Sequence, residues 1–113
     1  MEGNRRGDIS ELRAATWLME QNWEVFRNMG CTGPVDLVGI DPEGVVHKID
    51  VKTAGRHSHN TTEIKLSSSK PTEGVDVVYL YVYRNYVEWS VQDLQFEVNL
   101  GRKLVNLELN PTK

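Results

Sequence analysis

Three side chains in the first half of the chain have the types and spacing to hold a divalent cation against a phosphodiester: Asp36, Asp50 and Lys52. Asp36 closes the run Pro34-Val35-Asp36, and Asp50-Val51-Lys52 ends a stretch rich in β-branched residues. Val45 to Lys52, bounded by Gly44 and by Ala54-Gly55, reads as a strand. Alternation along it puts Val45, His47, Ile49 and Val51 on one face and Val46, Lys48, Asp50 and Lys52 on the other. Asp50 and Lys52 then point the same way, with Cα atoms roughly 6–7 Å apart. Val35 to Asp41 reads as the preceding strand, and Asp41-Pro42-Glu43-Gly44 as the turn between them. Folding back through that turn brings Asp36 beside Asp50 or Lys52. Three charged side chains at one sheet edge serve chemistry better than packing, because an unpaired buried charge is costly.

The residue types match a hard metal ion. Mg²⁺ takes oxygen ligands and is commonly held by one or two carboxylates together with substrate phosphate oxygens. Asp36 and Asp50 supply carboxylates, and the Val51 carbonyl is a further candidate ligand. Such an ion polarises a phosphate and lowers the pKa of bound water. Lys52 is suited to orienting the attacking water or to offsetting charge that builds in the transition state. Asp-X-Lys alone is a weak signal, since it also occurs as a solvated strand edge with an ordinary ion pair.

The element that must back this edge is an N-terminal helix. Ile9, Leu12, Ala15 or Thr16, Met19 and Trp23 recur at helical spacing, which predicts an apolar stripe through about residue 22. Asp8 reads as the N-cap, and Glu11, three positions on, completes a capping-box pattern. Glu11 has a second reading as a third carboxylate reaching toward the metal site, and the two are compatible.

Gly7-Asp8-Ile9-Ser10-Glu11 opening a helix, Trp23-Glu24-Val25-Phe26-Arg27 as a first strand, Pro34-Val35-Asp36-Leu37-Val38 and Ile49-Asp50-Val51-Lys52-Thr53 follow one another in this order. Together they resemble the PD-(D/E)XK nuclease superfamily, and within it archaeal-type Holliday-junction resolvases and a small group of homing endonucleases. The resemblance covers roughly the first half of the chain. It implies a restriction-endonuclease-like α/β (α+β) fold, Mg²⁺ or Mn²⁺ as cofactor, DNA as substrate, and a prokaryotic, archaeal or phage-encoded context. Carried over position by position, it implies Glu11, Asp36, Asp50 and Lys52 as the active-site residues, with Glu11, Asp36, Asp50 and Val51 around the metal. The family's Pro-Asp pair is here interrupted by Val35, and Asp50 stands where junction resolvases more often have Glu. The family's second helix also has no clear counterpart. Asn60 to Lys70 is Thr/Ser-rich, with Ile64 and Leu66 alternating, and reads as strand-like or irregular.

At 113 residues the chain is expected to be one domain, 1–113, with room for a single core. No apolar run reaches transmembrane length and the first residues carry no signal-peptide pattern. A single cysteine, Cys31, precludes an internal disulfide and suits a reducing cytoplasm. The net charge of −3 is unevenly spread. His47 to Lys70 carries Lys48, Lys52, Arg56, Lys65 and Lys70 against Asp50 and Glu63; the segment before it carries Arg5, Arg6, Arg13 and Arg27 against eight acids. The basic loop after Lys52 is therefore the expected phosphate-contacting surface, with Arg5, Arg6, Lys48, Thr53, Arg56, His57, His59, Lys65 and Lys70 as its residues. His57 and His59 form a His-X-His spacing that lacks a nearby third ligand, so a zinc site is weakly supported.

The second half reads as scaffold. Val75 to Tyr83 is a nearly continuous apolar and aromatic run, as in a strand buried on both faces. Arg84-Asn85 turns the chain and Tyr86 to Val91 returns as a hairpin partner. Ser90 and Asp93 cap a short helix around Val91 to Gln95. Val98 to Leu109 suggests a further hairpin or edge strand about Gly101-Arg102. The Tyr79, Tyr81 and Tyr83 alternation suits either a core or an interface. The expected whole is one helix packed on a mixed, mostly antiparallel sheet, acting as a metal-dependent DNA phosphodiesterase and assembling as a homodimer or higher symmetric homo-oligomer. Junction resolvase and sequence-specific homing or restriction-like endonuclease are both open. So is a binding module on the same fold that does not cut, although four retained active-site residues argue against it.

Overall fold

The computed structural model describes residues 3–30, 32–57, 60–66 and 77–94. Helix α1 (Gly3–Glu20) leads into strands β1 (Glu24–Arg27), β2 (Leu37–Ile40), β3 (Val46–His57), β4 (Asn60–Leu66), β5 (Val78–Tyr83) and β6 (Tyr86–Glu88). The sheet runs β1-β2-β3-β5-β6, with β4 paired to the far end of β3. The β3–β5 pair is parallel and the other pairs are antiparallel. This is the expected helix on a mixed, mostly antiparallel sheet, a restriction-endonuclease-like α+β architecture.

The helix departs from expectation in two respects. It begins at Gly3 instead of near Asp8, because Arg5 and Arg6 favour helix and Gly7 weakens it by only about 1 kcal/mol. Asp8 and Glu11 therefore lie inside the helix and do not cap it. The buried stripe also runs Ser10, Ala14 and Leu18, whereas Leu12 and Met19 are 56% and 53% exposed. A polar residue heads that stripe because Thr53 Oγ1 donates to Ser10 Oγ at 2.7 Å, satisfying a hydroxyl that is only 3% exposed. The C-terminus is a Schellman closure: Trp23 N donates to Leu18 O at 3.1 Å and Asn22 N to Met19 O at 3.0 Å. Asn22 takes the left-handed conformation this requires, with φ +68°.

Ala14, Leu18, Leu37, Ile49, Leu80, Val82 and Val87 form the core between α1 and the sheet, flanked by Trp17, Trp23, Val25 and Val51. Gly39 is needed there, since a Cβ would lie 2.7 Å from the Trp23 ring. A smaller cluster of Ala54, Tyr83 and Leu94 packs on the sheet's other face. Leu94 comes from a helical turn at 91–94. Asp93 N donates to Ser90 Oγ at 3.0 Å, the cap expected from sequence. In β5 Leu80, Val82 and Tyr83 are buried as expected, but Tyr79 and Tyr81 are only half-buried and Val78 at its start is 40% exposed. The 60–66 stretch forms β4, in line with its strand-like reading. Cys31 and the expected hairpin over 98–109 lie outside the described residues, and among those described no helix is long and apolar enough to cross a membrane.

Candidate active site

The two strands that were expected to carry the acids part where the acids sit. β2 pairs with β3 from Ile40↔Val46 up to Leu37↔Ile49, and one last ladder bond runs from Asp36 N to Ile49 O at 2.9 Å. Beyond it the chain leaves the sheet. Val51 N then has no strand to its β2 side and donates instead to Asp36 Oδ2 at 2.8 Å. A strand residue directs its N–H and C=O to the same edge, so Val51 turns its carbonyl toward this fork as well. Asp50 and Lys52 share one face of β3, with Lys52 Nζ 3.2 Å from Asp50 Oδ2. Both side chains are mostly buried, which makes this pair unlike a solvated strand edge.

Asp36 lies against these groups. Partial burial pushes its carboxyl up to about 6, the Val51 N–H opposes the shift, and a hydrogen bond with Asp50 and the charges of Asp50 and Glu11 add to it. Two carboxyls in hydrogen-bonding contact need a proton or a cation between them. With the Val51 carbonyl alongside, that donor set suits a hard divalent ion with substrate oxygens completing its shell. Among the described residues, no three acidic, histidine or cysteine side chains are gathered closely enough to enclose an ion. The reason is visible in Glu11. It comes near enough for its charge to reach Asp36, but its Oε1 accepts from Arg27 Nε at 3.2 Å. Arg27 Nη2 also donates to Asp8 Oδ1 at 2.9 Å.

Two positioning residues escaped the sequence reading. Arg27 holds the acidic side of α1, and the only available hint was a basic residue ending a strand that faces two acids one helical turn apart. Asn28 fixes the loop before Asp36: its Nδ2 donates to Thr32 O at 2.8 Å and Val35 O at 2.9 Å, while its N donates to Asp36 O at 2.9 Å. No pattern in the sequence marks Asn28 for this role.

Of the residues expected to contact DNA, those with described side chains are spread over α1 and β3. Arg5 and Arg6 are exposed on the first turns of α1, and Lys48 is exposed on the Asp50 face of β3. Thr53 is bonded to Ser10. Arg56 and His57 end β3, and Lys65 lies in β4 in register with Gly55; their side chains are outside what the structure describes. His59 and Lys70 fall outside the described residues altogether.

Residues 1–91 match the model of the PD-(D/E)XK endonuclease family. The chain belongs to that family. It is therefore an endonuclease, with DNA as the substrate the family implies and divalent metals as the family's general cofactor. UPF0102 protein tll1737 of Thermosynechococcus vestitus is 26% identical over 98 residues, covering 85% of this chain and 79% of that protein. The structure of the bacterial homing endonuclease I-Ssp6803I superposes with a TM-score of 0.63 at 23% identity, over 82% of this chain and 68% of the other. That likeness supports the fold.

Proposed function

We propose that this endonuclease is a divalent-metal-dependent phosphodiesterase whose working groups are Asp36, Asp50, Lys52 and the Val51 carbonyl, with Glu11 in support. The observation that carries the proposal is the contact between the Asp36 and Asp50 carboxyls at a fork that also presents Val51 and Lys52. Asp36, Asp50 and the Val51 carbonyl would hold Mg²⁺ or Mn²⁺, which when bound polarises the scissile phosphate and acidifies a water. The Val51 N–H restrains Asp36 by occupying its Oδ2. Lys52 sits beside Asp50 as the cation able to donate to a phosphate oxygen as charge develops, or to orient the attacking water. Arg27 restrains Glu11 at the margin, where its charge adds to the negative field without closing the site.

A single domain, a symmetric dimer that carries one site to each strand, and a cytoplasmic setting belong to the same reading. A four-way junction is the proposed preferred substrate, with linear duplex as the rival that a homing or restriction-like enzyme would favour. Plasmid nicking with Mg²⁺ or Mn²⁺ tests the chemistry. Asp50→Ala and Lys52→Ala should lose cutting while retaining DNA binding, and equal activity in all three proteins would remove the proposal. Cleavage of a junction against a linear duplex of the same sequence then separates the two substrates.

A further inference from the structure

The charges of α1 are sorted by side. Asp8 and Glu11 face Arg27. Arg6, Ser10 and Arg13 lie on the opposite side of the same turns and line an open cleft of about 520 Å³ with Thr53 and Arg84. No carboxylate lines that cleft among the described residues. Among the described residues none of its three arginines forms an ion pair, whereas Arg27 is held by two acids. The cleft is also organised. Arg13 Nη1 donates to the Arg84 carbonyl at 2.7 Å, which leaves most of its five N–H groups available. The Arg84 guanidinium sits 5.4 Å from the centre of the Tyr83 ring, a cation–π contact that restrains it. Thr53 and Ala54 of the cleft directly follow Lys52 on β3. Thr53 is thus about 10 Å along the strand from Asp50 and, by alternation, turns to the α1 face of the sheet.

We propose that this cleft anchors backbone phosphates of the DNA on one side of the cut, with Arg13 and Arg84 as its principal contacts and Arg6 at its mouth. The inference rests on the nuclease reading and assigns the substrate's second point of attachment. Guanidinium groups without an ion pair among the described residues, in a cleft reached by the same strand that carries Asp50 and Lys52, offset the chain's charge problem: the negative site repels DNA, and the cleft holds it. Contacts of this kind position the duplex without reading its sequence.

Fluorescence anisotropy with labelled duplex, in EDTA so that nothing is cut, tests the cleft through a salt series. Arg13→Gln and Arg84→Asn should each weaken binding on the order of tenfold near 0.1 M salt and lower the slope of log K against log salt by about one. The losses should be equal on unrelated sequences. Asn suits the left-handed backbone at Arg84, φ +53°, and leaves the Arg13 bond to its carbonyl intact. Should Arg13→Gln fail to fold, Arg84→Asn decides alone. Variants with the wild-type slope and affinity overturn the cleft while leaving the nuclease reading in place. A wild-type protein with no affinity for DNA overturns both.

Discussion

Two aspartates flank β2, and their surroundings drive them in opposite directions. Asp41, after the strand, accepts from Glu43 N at 2.9 Å and Val45 N at 3.0 Å, and its other oxygen is 2.8 Å from His47 Nε2. His47 first, and the backbone N–H groups with it, hold this carboxyl below its ordinary value. Asp36, before the strand, has one backbone N–H and faces other acids; burial and those neighbours hold it well above. The first has a donor at each oxygen and closes a turn. The second is supplied with too few donors, and the fold keeps it there through Asn28 and the strand ladder. A carboxylate that a protein leaves short of donors is one prepared for something it has yet to bind.

The largest effect should come from exchanging each acid for its amide. Asp36→Asn should lower cleavage roughly 10³-fold, the equivalent of a few kcal/mol of transition-state stabilisation. Asp41→Asn should leave cleavage close to wild type while lowering the melting temperature. A plasmid-nicking time course alongside thermal melts checks both. If Asp41→Asn abolished cutting and Asp36→Asn did not, the roles assigned to the two ends of β2 would be reversed.

Folding stability against pH sharpens the contrast further. Asp36 titrates near 6 in the folded protein against an ordinary 3.8. Its contribution is therefore full below about pH 4 and lost as the pH rises through about 6. With solvent screening allowed for, that loss is on the order of 1–3 kcal/mol. Asp41, depressed when folded, contributes above its unfolded value and loses that contribution only as the pH falls through its lower folded value. Urea unfolding in EDTA from pH 3 to pH 8 should show Asp36→Asn flattening the decline between about pH 4 and pH 6. Asp41→Asn should alter only the acid end. Identical profiles for the two variants would mean that the two carboxyls are not differently poised.

The contrast also explains what could be read from residues alone. Alternation along β3 and the Asp41-Pro42-Glu43-Gly44 turn bring Asp36 to Asp50 and place Lys52 beside it, because strand periodicity and turn chemistry are local. His47 on the core side is legible for the same reason, and it packs with its ring 5.0 Å from that of Trp23. The helix was less legible. Asp8 and Glu11 carry the signature of a helix start, yet both pair with Arg27, and Ser10 with Thr53, on strands distant in sequence. A polar residue can head a buried stripe only when such a partner exists, and nothing near Ser10 announces Thr53. For the same reason periodicity favours a stripe through Leu12 and Met19, which tertiary packing leaves outside.

The smallest effect concerns Glu11, the last of the influences that raise Asp36. Glu11→Gln removes one negative charge and keeps the shape, so Asp36 should titrate lower by a fraction of a unit, readable from carboxyl ¹³C shifts. Cleavage should fall far less than in Asp36→Asn, by about tenfold at most, because Glu11 is engaged with Arg27 and acts through the field. An Asp36 titration that does not move in Glu11→Gln would put Glu11 beyond electrical reach of the fork, leaving its place on α1 to be explained by the Arg27 pair alone. A loss of cutting as deep as that of Asp36→Asn would mean the opposite: that Glu11 leaves Arg27 when substrate arrives and joins Asp36 and Asp50 directly.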